Sequence, residues 1–335
     1  MSKSPHLAII YEFSKPRYSL HVPIRSIDIV APVYNQGDGI TTFVEVVIRE
    51  IRELGLSYSI ILIDDGSSDN SWNQIRLAVK NNVGVKGIRL QRNFGQHKAI
   101  LAGLRASNSD IVVVMDSDLQ DDPALIPKLV ERYLDTNKNL VVSYKERSGL
   151  SIPYRVQQAV FYRILNSLID FHYDPNISNF GLYSRDLIQV IVGSRTPYPF
   201  FPVLVMQAGH PYQTFESTRL TRLSGKSQYT FKKRVSHALG IIFGQSSKVI
   251  RLTSLFGLTI SFFAFSFSGL ILGYRLFLDD SGQSIGWYSL VVVISFFSGT
   301  IMMSVGILGY YLNWVLNLVA AKPLFLVAGT EEGLN

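Results

Sequence analysis

Two stretches of this chain carry no charged residue at all, Leu252 to Tyr274 and Ser281 to Ala321. A helix that crosses a bilayer needs ~20 consecutive apolar residues, and each stretch is longer than that. Buried helices of globular domains rarely run so far without a charge. Two transmembrane helices are therefore expected within residues 251–321. Their connection carries Arg275, Asp279 and Asp280, whereas Lys226, Lys232, Lys233, Arg234, Lys248 and Arg251 precede the first stretch and Lys322 follows the second. Basic flanks stay on the cytoplasmic side, so both termini and any domain before the anchor should face the cytoplasm. Phe231, Val235, Leu239 and Ile242 form a helical stripe beside several of these cations, which predicts an amphipathic helix lying on the membrane over 231–250. Residues 322–335 remain as a C-terminal tail.

The rest of the chain leaves room for one substantial domain of ~150 residues or somewhat more. Only 17% of the 335 residues are charged, against ~25% in an average soluble protein, as expected if part of the chain sits in lipid. There is no cysteine, so disulfides, thiolate zinc sites and a cysteine nucleophile are excluded, and any metal must be held by oxygen or histidine. The net charge of +7 suits an anionic membrane surface or phosphorylated substrates; no nucleic-acid motif accompanies it. Residues 1–24, with Pro5, Pro16 and Pro23, lack the apolar core and small-residue cleavage site of a signal peptide and are read as an extension.

Residues 25–230 form the globular part. Up to about Asp186, short β-branched runs alternate with amphipathic stretches, the pattern of βαβ units around a mainly parallel sheet. Strands are predicted at Ile27–Ala31, Ile60–Ile63, Gly87–Leu90, Ile111–Met115 and Leu140–Ser143, with helices at Thr41–Leu54, Ser71–Lys80, Lys98–Ala106 and Ala124–Leu134. Ligands of such sheets bind where the strands finish. The polar clusters lie there: Pro32-Val33-Tyr34-Asn35, Asp64-Asp65-Gly66-Ser67, Arg92-Asn93-Phe94-Gly95 and Asp116-Ser117-Asp118.

Asp116 and Asp118, one residue apart at a strand end, can converge on a hard divalent cation, and Gln120 can add a third oxygen. Such a cation would neutralise a diphosphate leaving group. An Asp-x-Asp triplet is also common in turns and caps, so its weight comes from the other clusters. Asp64 and Asp65 end a second strand, where a carboxylate can accept hydrogen bonds from a base or ribose while Gly66 allows a tight turn.

With these four clusters in this order, the chain resembles the family 2 glycosyltransferases of GT-A (Rossmann-like) fold. It is most similar to their polyprenyl-phosphate branch, which includes dolichol-phosphate mannose synthase and the bacterial undecaprenyl-phosphate sugar transferases. Leu119-Gln120-Asp121-Asp122-Pro123, the segment from Arg222 to Tyr229 and the two-helix anchor carry the narrower resemblance. It implies an inverting transfer from a nucleotide diphosphate sugar, a UDP-sugar by analogy, to undecaprenyl or dolichyl phosphate at the cytoplasmic face of a bacterial inner membrane, in building cell-envelope polysaccharide. It further implies that Pro32, Tyr34, Asn35, Asp64, Asp65 and Asp116 surround the nucleotide sugar. Asp116, Asp118 and Gln120 would hold Mg²⁺ or Mn²⁺, and Arg147, Arg155, Arg222 and Ser227 would approach phosphates. Small two-helix anchors of this kind often assemble as homo-oligomers.

Two positions depart from the resemblance. Gln36 stands where relatives usually have Glu, and Asn179, in Ser178-Asn179-Phe180, stands where they carry an Asp that could act as base. A phosphate monoester acceptor, with a second pKa of ~6, arrives largely as the dianion, so Asn179 is expected to orient donor or acceptor in a direct attack without a protein base. A module that keeps the fold but has lost turnover, or a family 2 transferase with another acceptor, are the alternative readings. A processive synthase is excluded by the missing Gln-x-x-Arg-Trp motif and by too few spans for a channel.

Overall fold

Apolar runs without alternation make strands only when both faces are covered, and both faces are covered here. In the computed structural model, which describes residues 24–37, 39–144, 160–164, 166–169, 174, 177–194, 196, 199–217, scattered positions between 255 and 266, 287–319 and 323–332, the five predicted strands are all present. They are β1 (Ser26–Val33), β2 (Ser57–Asp64), β3 (Val85–Leu90), β4 (Ile111–Val114) and β5 (Asn139–Tyr144). The predicted helices are α1 (Gly39–Arg52), α2 (Ser71–Asn81), α3 (Gln96–Ala106) and α4 (Leu125–Thr136). Beyond them come β6 (Ile177–Ser184), α5 (Arg185–Gly193), α6 (Phe201–Gln207), β7 (Tyr212–Ser217), α7 (Trp287–Val319) and β8 (Val327–Glu332).

Side chains along each strand alternate between two cores. Ile27, Ile29, Ile60, Leu62, Ile111 and Val113 pack on one face with residues of α1, α2 and α4. Val30, Ile61, Ile63, Val112 and Val114 pack on the other with α3, α5 and α6. The sheet order is β7-β5-β6-β4-β1-β2-β3-β8. Its centre, β4-β1-β2-β3, is parallel, as is β5 with β7, while β4/β6, β5/β6 and β3/β8 are antiparallel. From β1 the chain goes to β2 on one side and later to β4 on the other, so a topological switch point lies between β1 and β4. Crevices that accept ligands open there, where the strands finish.

The residues after α7 return to the domain. β8 pairs with the outer edge of β3, Gln91 N–H donates to Leu326 C=O at 2.9 Å, and Leu324 and Phe325 pack against the second core. Ion pairs Arg76–Glu331 (3.0 Å) and Lys86–Glu332 (3.5 Å) lie on the same edge. Among the described residues no helix is long and apolar enough to cross a membrane. The unbroken sequence of α7 runs 33 residues without an acidic or basic side chain, and Leu290, Phe296, Ile301, Leu308, Leu316 and Val319 on it are exposed. The amphipathic stretch expected at 231–250 lies outside the described residues, as does most of 252–274.

Candidate functional site

Hydrogen bonds join all four polar clusters at the end of the sheet where the strands finish. Ser117 is buried, and its hydroxyl donates to the carbonyl of Pro32 at 2.8 Å, fastening the end of β4 to the end of β1. Asp116 and Asp118 flank Ser117 in the turn that follows β4, and both are half-buried. The Asp116 N–H donates to the Asp121 carboxylate at 2.8 Å, and Leu119 takes φ +56°, so the turn doubles back on itself. Such left-handed residues other than glycine are uncommon, and Asn35, φ +52°, is a second one at this end.

The β1 and β2 loops are laced together. Asn35 N–H donates to Ser67 Oγ at 3.0 Å, and Ser68 N–H donates to Asn35 Oδ1 at 3.0 Å. Ser71 Oγ accepts from the N–H groups of Gln36 (2.9 Å) and Gly37 (3.0 Å). Tyr34 stands exposed beside them and Pro32 is buried.

Asp64 and Asp65 differ sharply despite being adjacent. Asp64 is fully buried: one oxygen accepts from Ser67 N–H at 2.9 Å, and the other lies 3.3 Å from Arg89 Nε, too oblique for a hydrogen bond. Asp65 reaches the β3–α3 loop, accepting from Phe94 N–H (2.7 Å) and Gly95 N–H (2.9 Å). Burial pushes its carboxyl up to about 6, with Asp64 adding to the rise; the two N–H groups and Lys98 only partly offset this. Burial likewise lowers Lys98, helped by Arg92. Gly66 makes the approach of the two loops possible, because at φ +67° an added Cβ would fall 2.3 Å from the Arg92 carbonyl carbon.

Gln96, the first residue of α3, donates from its side-chain amide to Asp116 Oδ1. Gln120 does the same for Asp118, its Nε2 at 2.8 Å from Oδ2 and its N–H at 3.1 Å from Oδ1. Gln120 is thus turned to Asp118 by its nitrogen end. His97 accepts from Phe201 N–H at 3.4 Å and leans on the Phe200 ring, joining α3 to α6.

Asn179 sits on β6, antiparallel to β4. The last pair of the two strands is Val114 with Gly181, and Asn179 lies two residues back along β6 from Gly181. The buried Tyr183 phenol donates to the Asn179 carbonyl at 3.1 Å, passing over Gly181, where a Cβ would fall 2.8 Å from that hydroxyl. Arg147, Arg155, Arg222 and Ser227 lie outside the described residues.

As donors, Asp116 and Asp118 suit a hard divalent cation: two half-buried carboxylates one residue apart in the turn after β4, with oxygen ligands only. Among the described residues no group of three or more acidic or histidine side chains is placed to hold a metal ion. Ser71 and Gln96, which help hold these loops together, were not singled out by sequence, and Ser67 and Asp121 entered only as members of longer motifs. Their partners lie on other strands or across a turn, and no local pattern shows this.

Residues 28–192 match the family model described as "Glycosyl transferase family 2". Among curated proteins, the chain is 28% identical over 325 residues to the undecaprenyl-phosphate 4-deoxy-4-formamido-L-arabinose transferase of Yersinia pestis (strain Pestoides F), covering 95% of this chain and 98% of that one. The enzyme of the same name from Pectobacterium carotovorum is 27% identical over 312 residues, 92% of this chain and 94% of that one. Among solved structures, glucosyl-3-phosphoglycerate synthase from Mycobacterium tuberculosis, crystallised with Mn²⁺, UDP and glucosyl-3-phosphoglycerate, aligns with a TM-score of 0.47 and 20% identity, over 66% of this chain and 78% of that one.

Proposed function

The chain carries a family 2 glycosyltransferase domain, and from that premise we propose that it moves a sugar from a nucleotide diphosphate sugar to the phosphate of a polyprenyl lipid. The observation that carries the reading is the position of Asp116 and Asp118 at the switch point, in the turn that Ser117 fastens to the end of β1. The likeness to undecaprenyl-phosphate transferases supports the lipid acceptor, because it extends over 95% of the chain, past the catalytic domain.

The lipid phosphate is the nucleophile. Its oxygen forms the new bond to the anomeric carbon as the bond from that carbon to the nucleotide diphosphate breaks, with inversion. The monoester arrives as a dianion near neutral pH, so positioning matters more than proton removal, and Asn179 serves to orient. The nucleotide lies against Tyr34, Asn35 and the Asp65 turn, with Asp64 shaping that turn from within. A divalent cation, Mg²⁺ or Mn²⁺, held by Asp116 and Asp118 would supply positive charge to the departing diphosphate.

We place this chemistry at a membrane on the strength of the two charge-free stretches of the sequence. At ~1.5 Å per residue α7 is ~50 Å long, against ~30 Å of hydrocarbon. β8 is paired with the domain, and residues 320–326 span at most ~25 Å, so α7 ends on the domain's side of the membrane. If α7 crosses, the chain must cross once more between β7 and Trp287, and the charge-free residues 252–274 are the stretch able to do so. Lys322 and the cations of 226–251 set that side as cytoplasmic.

The test is incubation of the purified chain in detergent with undecaprenyl phosphate and a panel of nucleotide sugars, UDP-sugars first, with and without EDTA. A sugar-phosphate-polyprenol identified by mass, and lost with EDTA, is the expected result. Donor consumption without a lipid product would point to another acceptor. Donor binding without any turnover would favour a degenerate binding module, the reading that Asn179 invites.

A further inference from the structure

We infer that Gln96 is a positioning residue that sets the direction of the Asp116 carboxylate toward the cation and links the nucleotide turn to the cation site. The inference rests on the reading of Asp116 and Asp118 as cation ligands, and it begins with how Gln96 is itself held. Asp65 takes the N–H groups of Phe94 and Gly95, the two residues before it, and Gly66 lets the Arg92 backbone settle against the same turn. Gln96 therefore leaves a loop docked on the end of β2, and its amide crosses to Oδ1 of Asp116 at the end of β4. The main chain of Asp116 is fixed separately by Asp121. With backbone and carboxylate both held, Asp116 has little rotational freedom left to lose when a ligand arrives.

The chemistry of the donor matters as much as its place. An amide is neutral: it fixes an oxygen's direction without subtracting the carboxylate's charge. A lysine or arginine at position 96 would direct the same oxygen while opposing a cation a few ångströms away. Gln120 stands in the same relation to Asp118, so each acid of the pair has a glutamine amide against it. Partners of this kind behind metal ligands are worth ~10- to 100-fold in metal affinity.

The experiment measures Mn²⁺ binding to the full-length chain in detergent by electron paramagnetic resonance, with UDP binding in EDTA as a second readout. Wild type should bind Mn²⁺, and Gln96→Ala should bind it ~10-fold more weakly with UDP affinity in EDTA unchanged. Gln96→Lys decides between positioning and simple loop support: lysine can still donate to Asp116, so a purely structural role is rescued, whereas a cation-positioning role is made worse than in Gln96→Ala. Gln96 is exposed, so these variants should fold. Equal Mn²⁺ affinity in wild type and Gln96→Ala, or stronger binding in Gln96→Lys than in Gln96→Ala, overturns the inference while leaving the cation site standing. Wild-type Mn²⁺ binding that survives Asp116→Ala together with Asp118→Ala overturns the cation reading and the inference with it.

Discussion

At the end of the sheet where the parallel strands begin, Asp28 gives one carboxylate oxygen to Ser107 Oγ (2.7 Å) and to the N–H groups of Asn108 (3.2 Å) and Ser109 (3.4 Å). Asp110 there gives one oxygen to Arg25 N–H, Ser26 N–H and Ser26 Oγ, at 2.8 to 3.1 Å. At the end where the strands finish, Asp65 is held by two N–H groups and its burial outweighs them, while Asp116 and Asp118 meet glutamine amides. The consequences for charge are opposite. Hydrogen bonding, first from Arg25 N–H, holds the Asp110 carboxyl below its ordinary range, and burial raises Asp65 to about 6. An acid surrounded by donors closes a loop. Carboxyls raised by burial gather at functional sites, and Asp65 lies at the end of the sheet that holds Asp116 and Asp118.

That comparison breaks if the starting end also governs turnover. Asp28→Ala should cost about 2–3 kcal/mol of stability, because three donors lose a buried acceptor, with activity per folded molecule unchanged. Denaturant unfolding and transfer assays on the same sample check both halves. Asn179→Ala should behave the other way, with turnover lower by ~100-fold and the melting temperature unmoved. Unchanged turnover would remove Asn179 from the mechanism and make Asp174 and Asp170 the next residues to substitute.

A smaller effect concerns pH. Asp65 has a folded pKa above its unfolded value, so the folded state binds more protons between about 4 and 6. Its contribution to stability is present below that window and lost as pH rises through it. Asp110 has the reverse sign: its contribution is present above the unfolded value of 3.8 and is lost as pH falls below it. Melting curves from pH 3 to 7 should show Asp65→Asn flattening the decline between 4 and 6, and Asp110→Asn losing stability at pH 7 but not at pH 3. Matching pH profiles in the two variants would erase the distinction between the two ends.

The parallel centre was legible in the sequence because runs such as Ile60–Ile63 and Ile111–Met115 fill two cores and leave little ambiguity. Less legible were the flanking strands. β6 contains Ser178, Asn179 and Gly181 in place of a repeating apolar pattern, and Gly181 is required by the Leu140 carbonyl of β5, 2.3 Å from where a Cβ would fall, and by the Tyr183 phenol, both tertiary reasons. β8, Val-Ala-Gly-Thr-Glu-Glu, carries little strand propensity and is recruited by the edge of β3 and its cations. In the site, the Asp-x-Asp triplet and the Asp64-Asp65 turn could be picked out by their position after strands. That Asp64 turns inward and Asp65 toward the next loop depends on Arg89 and Gly95, more than twenty residues away in sequence. Long-range bonds of this sort leave no periodic trace.

The most direct test replaces Asp116 and Asp118 together by alanine and measures formation of the sugar-lipid product from undecaprenyl phosphate and the active nucleotide sugar. Product should fall by at least ~1,000-fold while the unfolding curve stays that of wild type. Product at the wild-type rate from a folded double variant would contradict the account.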